Sequence, residues 1–128
     1  MGDKIPRPTD AELAILSVLW QRGPSTVREV HDALSTTQET GYTTVLKLLQ
    51  IMTEKSLVVR DESQRAHVYA SRYGEQRTQR QLLGDLIDRA FRGSPAQLVM
   101  QALSASHASA AELTAIRHLL DQMEGDAK

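Results

Sequence analysis

Thr43, Lys47 and Gln50 recur at i, i+4 and i+7 in a segment whose apolar residues Val45, Leu48, Leu49 and Met52 recur at i, i+3, i+4 and i+7. On a helix of about 3.6 residues per turn these two sets occupy opposite sides. One side packs. The other shows water a hydroxyl, an ammonium and a carboxamide in place of the usual mixture of Glu and Lys. Such groups suit duplex DNA: Lys47 brings charge to phosphates and a donor to guanine, while Gln50 and the threonines bond phosphates or read base edges in a major groove. Arg65, in a polar stretch between two β-favouring segments, is placed to touch a neighbouring phosphate or the minor groove. Taken singly, each of these residues would pass for ordinary solvated surface.

The elements that must carry them can be read from caps and periodicity. Thr9-Asp10-Ala11-Glu12 is a capping box that opens a first helix, and Leu13, Leu16 and Trp20, with Ile15 and Leu19, give it an apolar face. Gly23-Pro24 ends it. Ser25 or Thr26 caps a second helix with Val27, Val30 and Leu34 inward and Arg28, Glu29 and Asp32 outward. A polar connection over 35–40 leads to Gly41-Tyr42, where the third helix begins. Residues 57–60 and 66–70 favour strand and are separated by the polar 61–65, which predicts a hairpin. Three helices and then a hairpin is the order of a winged helix-turn-helix, so residues 1–73 are expected to form a DNA-binding domain of that kind.

Beyond Tyr73 the pattern becomes wholly helical. Leu83, Leu86, Ile87, Ala90 and Phe91 form a stripe on a helix starting near Glu75, which Gly93 stops. Ser94 and Pro95 start the next, with Leu98, Val99, Ala102 and Leu103 on its apolar side. Ser109 and Glu112 cap the last, which carries Leu113, Ile116, Leu119, Leu120 and Met123. Three short amphipathic helices bury little surface alone, and the simplest partner is a second copy. Residues 74–128 are therefore expected to be a helical dimerisation domain, with Leu83, Leu86, Ile87, Phe91, Leu98, Leu103, Leu113, Ile116, Leu119 and Leu120 at the seam. The fold class is mainly α with a small β-hairpin.

Composition narrows the function. The 128 residues hold no cysteine, which removes disulfides, thiolate metal sites and thiol nucleophiles together. His31, His67, His107 and His118 are scattered without metal-ligand spacing, so no metal and no cofactor is expected. Gly-rich phosphate loops, HExxH and the Gly-x-Ser-x-Gly elbow are absent, and Ser104, Ser106 and His107 are merely neighbours in sequence; an enzyme is not expected. No apolar run approaches the roughly 20 residues of a membrane span, no secretory leader is visible, and Pro6 stands where an N-myristoylation signal at Gly2 wants Ser or Thr. The expected location is the cytoplasm. Net charge is −1, which argues against indiscriminate coating of nucleic acid. Within 41–72, however, Lys47, Lys55, Arg60, Arg65 and Arg72 outnumber Glu54, Asp61 and Glu62. A competing expectation is a winged-helix protein-interaction module without DNA binding, because residues 1–73 balance nine basic against nine acidic side chains.

The sequence resembles the penicillinase-repressor family, which includes the methicillin-resistance repressor and copper-responsive repressors (the BlaI/MecI/CopY type). The residues that carry the resemblance run along nearly the whole chain: Glu12-Leu13, Val18-Leu19-Trp20, Thr26-Val27-Arg28-Glu29-Val30, Tyr42-Thr43-Thr44-Val45, Glu54-Lys55, Leu57-Val58, Arg65-Ala66-His67-Val68-Tyr69, Phe91-Arg92-Gly93-Ser94-Pro95 and Leu98-Val99. Members are dimeric winged-helix repressors that occupy palindromic operators of β-lactam-resistance, metal-handling or related genes. The resemblance implies that Tyr42, Thr43, Thr44 and Lys47 lie at the major groove, with Arg65 and His67 near the wing contact. Lys47 departs from a frequent threonine and Ser56 from a frequent glycine. In the β-lactam branch a membrane sensor-linked protease cuts an Asn-Phe bond before the aromatic-basic-Gly motif, and the equivalent place here reads Asp85-Leu86. The copper branch uses a C-terminal cysteine cluster, which this chain lacks, so the sequence leaves the inducing signal open.

Overall fold

The computed structural model describes residues 5–127; Met1 and Gly2, and with them the lipidation question, lie outside these. Nine elements follow one another: α1 (Asp10–Arg22), β1 (Ser25–Thr26), α2 (Val27–Leu34), α3 (Tyr42–Glu54), β2 (Val58–Asp61), β3 (Val68–Ser71), α4 (Glu75–Ala90), α5 (Pro95–Ala105) and α6 (Ala110–Asp126). The chain divides into two compact units, one ending at Gly84 and the other starting at Asp85.

In the first unit the caps act as their spacing predicts. The Glu12 amide donates to Thr9 Oγ1 at 3.2 Å and the Thr9 amide to Glu12 Oε1 at 2.9 Å. The same reciprocal pair recurs at Thr26 and Glu29, so Thr26 and not Ser25 caps α2. Ser25 is buried, and its hydroxyl donates to the Gly23 carbonyl at 2.9 Å. Together Ser25 and Thr26 form a strand that the sequence did not announce, since two residues are too few to show alternation. The sheet therefore has three antiparallel strands in the order β1-β3-β2, with Ser25 opposite Tyr69 and Arg60 also opposite Tyr69 on the other side. The hairpin strands begin one or two residues later than expected, and the wing loop spans 62–67.

Ile15, Leu16 and Leu19 of α1, Val27, Val30 and Leu34 of α2, and Val45, Leu49 and Met52 of α3 close on one core, floored by Leu57, Val58 and Tyr69. Leu48 packs against it from the edge. Trp20 does more than pack. Its indole N–H reaches both Ser71 Oγ at 2.9 Å and the Tyr73 carbonyl at 3.0 Å, pinning the chain where it leaves the wing. The start of α4 is held to this unit by Thr78, which is buried, and by Gln81, whose side-chain amide bonds both the N–H and the carbonyl of Ile5 as a peptide group would.

The second unit is built differently. Arg92 (φ 54) and Gly93 (φ 78) turn the chain after α4, and the Gly93 amide donates to the Ile87 carbonyl at 3.0 Å. Ser94 caps α5 with Pro95 in its first turn, and Ser109 and Glu112 form a third capping box for α6. No residue of α5 or α6 is buried. Of the apolar side expected on α5, Leu98 is half-covered and Val99, Ala102 and Leu103 are exposed. No helix among the described residues is long and apolar enough to cross a membrane.

Candidate nucleic-acid interface

The third helix has no side-chain cap at Gly41 and is C-capped by Lys55, which is followed by Ser56 in the left-handed region (φ 64). Between these ends Thr43, Thr44, Lys47 and Gln50 are all exposed or half-exposed, as is Tyr42 at 43 %. Val45, Leu49 and Met52 are buried on the opposite side, so the amphipathic assignment made from spacing describes the helix as folded. A cleft of about 320 Å³ lined by Thr26, Val27, Arg28, Tyr42, Ala66 and His67 joins the start of α2, the start of α3 and the end of the wing loop. Those three segments therefore present one continuous surface.

Charge on this surface is sorted by its partners. Of the five basic residues between Gly41 and Arg72, Lys55 is held by the Glu12 carboxylate, with Nζ 2.7 Å from Oε1 and 3.0 Å from Oε2. Arg60 lies 3.3 Å from the Glu62 carboxylate, and its pKa is raised by interaction with the Tyr69 side chain first and with the charge of Glu62 second. The Arg72 guanidinium lies over the Tyr73 ring, 5.7 Å from its centroid. Lys47 and Arg65 form no ion pair with any described residue, and both are exposed. Lys47, on α3, and Arg65, in the wing loop, are exposed cations with neither an ion pair nor a ring contact among the described residues. His67, half-buried, has its Nε2 3.9 Å from a Glu62 oxygen.

Glu12 shows why Lys55 is not available. Burial pushes its carboxyl up, but the hydrogen bonds from Lys55 and the Thr9 amide, with the charge of Lys55, outweigh that and hold it below the ordinary value. The carboxylate is 2 % exposed and spans the first turn of α1 and the last of α3. Nothing in the spacing of Glu12 and Lys55, 43 residues apart, announces this pair. Sequence reasoning likewise missed the grip of α2 on Tyr42. Arg28 and His31, one turn apart, flank its ring, with the guanidinium 5.8 Å from the centroid and the imidazole edge-on at 6.0 Å. The signal available was only that i and i+3 share a helix face.

The residues expected at a subunit seam are spread over α4, α5 and α6. Leu83, Leu86, Leu103, Leu113, Leu119 and Leu120 are exposed, and Ile87, Phe91, Leu98 and Ile116 are half-covered. Met100 of α5 is also exposed, at 69 %. Asp85 and Leu86 lie in the interior of α4. Among the described residues no three His, Asp or Glu side chains converge to hold a metal ion.

The penicillinase repressor family model matches residues 8–122. The chain is 34% identical over 122 residues to the transcriptional regulator BlaI of Mycobacterium tuberculosis, covering 94% of this chain and 88% of that one. The solution structure of the DNA-binding domain of the repressor BlaI superposes with a TM-score of 0.51 at 29% identity, covering 56% of this chain and 88% of that one. The solution structure of Bacillus licheniformis BlaI in its monomeric form, in complex with the blaP half-operator, gives a TM-score of 0.50 at 29% identity over 57% of this chain and 89% of that one.

Proposed function

Because this chain belongs to the penicillinase repressor family and is a DNA-binding transcriptional repressor, we propose that it occupies a palindromic operator as a homodimer and controls β-lactam-resistance or related stress genes from the cytoplasm. Residues 1–73 serve as the winged helix-turn-helix that meets DNA, and residues 74–128 as the helical domain that pairs subunits. The observation that carries this reading is the exposed row on α3 beside the wing, with Lys47 and Arg65 both without an ion pair to any described residue.

In this arrangement α3 enters the major groove. Lys47 approaches a phosphate or the N7 and O6 acceptors of guanine, and Gln50 and the threonines bond phosphates or base edges, with Tyr42 and Thr44 at the start of the row. Arg65 and His67 meet the flanking backbone. Two copies place their α3 helices in grooves about 34 Å apart or a multiple of that, and the bound dimer blocks the promoter by occupying it. The half-operator named in the Bacillus licheniformis complex supports a site composed of two halves.

A membrane sensor protease is a candidate further partner only by the family resemblance, and Asp85-Leu86 stands where that resemblance implies an Asn-Phe bond for cleavage. The Asp85-Leu86 bond lies within α4, and a protease needs extended backbone, so release would require α4 to unwind there first. The experiment that tests the whole reading is a footprint of the purified chain on the DNA upstream of its own gene. A protected palindrome at moderate salt is the expected result; protection that is uniform along the duplex, or none, would overturn it.

A further inference from the structure

The recognition helix begins without help from its own cap. Gly41 offers no side chain, and the connection over 35–40 contributes no buried apolar anchor, since Ser35, Thr36, Thr37, Gln38 and Glu39 are exposed. What holds this entry comes from α2. His31, half-buried, has Nε2 2.9 Å from the Thr40 carbonyl oxygen. A carbonyl only accepts, so Nε2 carries the proton in this bond. The same imidazole stands edge-on to the ring of Tyr42, 6.0 Å between centroids and 67° between planes, while Arg28 lies over that ring from one turn earlier on α2. Nδ1, on the other side of the imidazole, is 3.5 Å from the Asp32 carboxylate. His31 thus touches the residue before Gly41 and the residue after it.

We propose that His31 is a positioning residue for operator recognition: by holding the Thr40 carbonyl and the Tyr42 ring together, it fixes the direction in which the first turn of α3 meets DNA. It touches no base or phosphate itself. Its effect falls on Tyr42, Thr43 and Thr44, the residues whose backbone follows from where Thr40 and Gly41 are set. The proposal rests on the reading that this face of α3 meets DNA, and it adds a residue that faces α3 instead of the groove. Loss of one well-made hydrogen bond at such a point corresponds to roughly tenfold in affinity.

The test uses the full chain and a duplex recovered by selecting a random-sequence DNA library against the wild-type protein. If the wild type enriches no duplex, the DNA reading and this proposal fall together. Given an enriched duplex, affinity is measured for it and for a scrambled duplex, as a function of salt, for wild type, His31→Ala, His31→Gln and His31→Phe. Gln can place its amide N–H near the position of Nε2, and Phe keeps the ring edge without the donor. His31→Ala is expected to lose roughly tenfold on the selected duplex and little on the scrambled one, with the salt slope unchanged because no phosphate partner is removed. His31→Gln is expected to recover most of that loss and His31→Phe only part. Equal losses on both duplexes, a flattened salt slope, or a Gln variant no better than Ala at matched thermal stability would each overturn the proposal.

Discussion

Lys47 and Arg65 differ from the other basic residues of the 41–72 segment in their surroundings alone. Lys55, Arg60 and Arg72 are engaged with Glu12, Glu62 and Tyr73, while these two face solvent without an ion pair to any described residue. Lys47→Ala and Arg65→Ala are therefore each expected to weaken operator binding and to lower the slope of log affinity against log salt by about 0.9 for each phosphate no longer neutralised. Titrations at several salt concentrations check this, and unchanged affinity and slope in both variants would remove the assignment. Ser56 allows a test of a different kind. It holds φ 64 where an L side chain is strained by about 1–2 kcal/mol, and the family resemblance places a glycine there. Ser56→Gly gives up some of that gain through the freer unfolded chain, and a net stabilisation of roughly 0.5–1 kcal/mol in urea unfolding is expected. The exposure of Thr43, Lys47 and Gln50 was legible from period alone. That Lys55 is taken up by Glu12 was not, because a salt bridge between residues 43 positions apart has no local signature.

At the scale of elements, α3 is fastened at both ends by helices that precede it. The C-terminal fastening is the Glu12–Lys55 pair, which joins the start of α1 to the end of α3. Removing the cation leaves a buried carboxylate uncompensated, so Lys55→Met is expected to destabilise the fold by about 3 kcal/mol. The pair also gives stability a pH dependence of definite sign. The folded-state pKa of Glu12 is lowered relative to the unfolded chain, so the unfolded state binds the proton more readily and stability rises with pH. The contribution is fully present above the ordinary carboxylate value and is lost as pH falls through the folded one. Unfolding curves recorded across the acid range should show a shallower acid limb for Glu12→Gln than for wild type; parallel limbs would mean the carboxylate is not held as described. Capping boxes at Thr9 and Ser109 were readable because Thr or Ser followed three residues on by Glu satisfies two amides at once. The two-residue strand β1 was not, since its only reason to be extended is the partner strand β3 that arrives some 40 residues later.

For the whole molecule, the exposed apolar faces of α4, α5 and α6 set the expected assembly. Leu119 and Leu120 are each more than half exposed, a poor arrangement for helices left in water. Leu119→Glu with Leu120→Glu is expected to give monomers in sedimentation, and operator affinity should fall with the loss of the second half-site; a double variant that still sediments as a dimer would place the seam elsewhere. The amino-acid sequence by itself determined the helices, their caps and the two sides of α3. Each of these depends on residues within a few positions of one another, and backbone hydrogen bonding with a fixed period converts such neighbours into a face. Only the tertiary structure decided which charges on that face are engaged and which are open to solvent, that Trp20 clasps the exit of the wing, and that His31 grips the entry to α3. The Glu12–Lys55, Trp20 and His31 bonds join residues from 9 to 53 positions apart, and their partners are chosen by how the core brings the elements together, a choice no local pattern encodes.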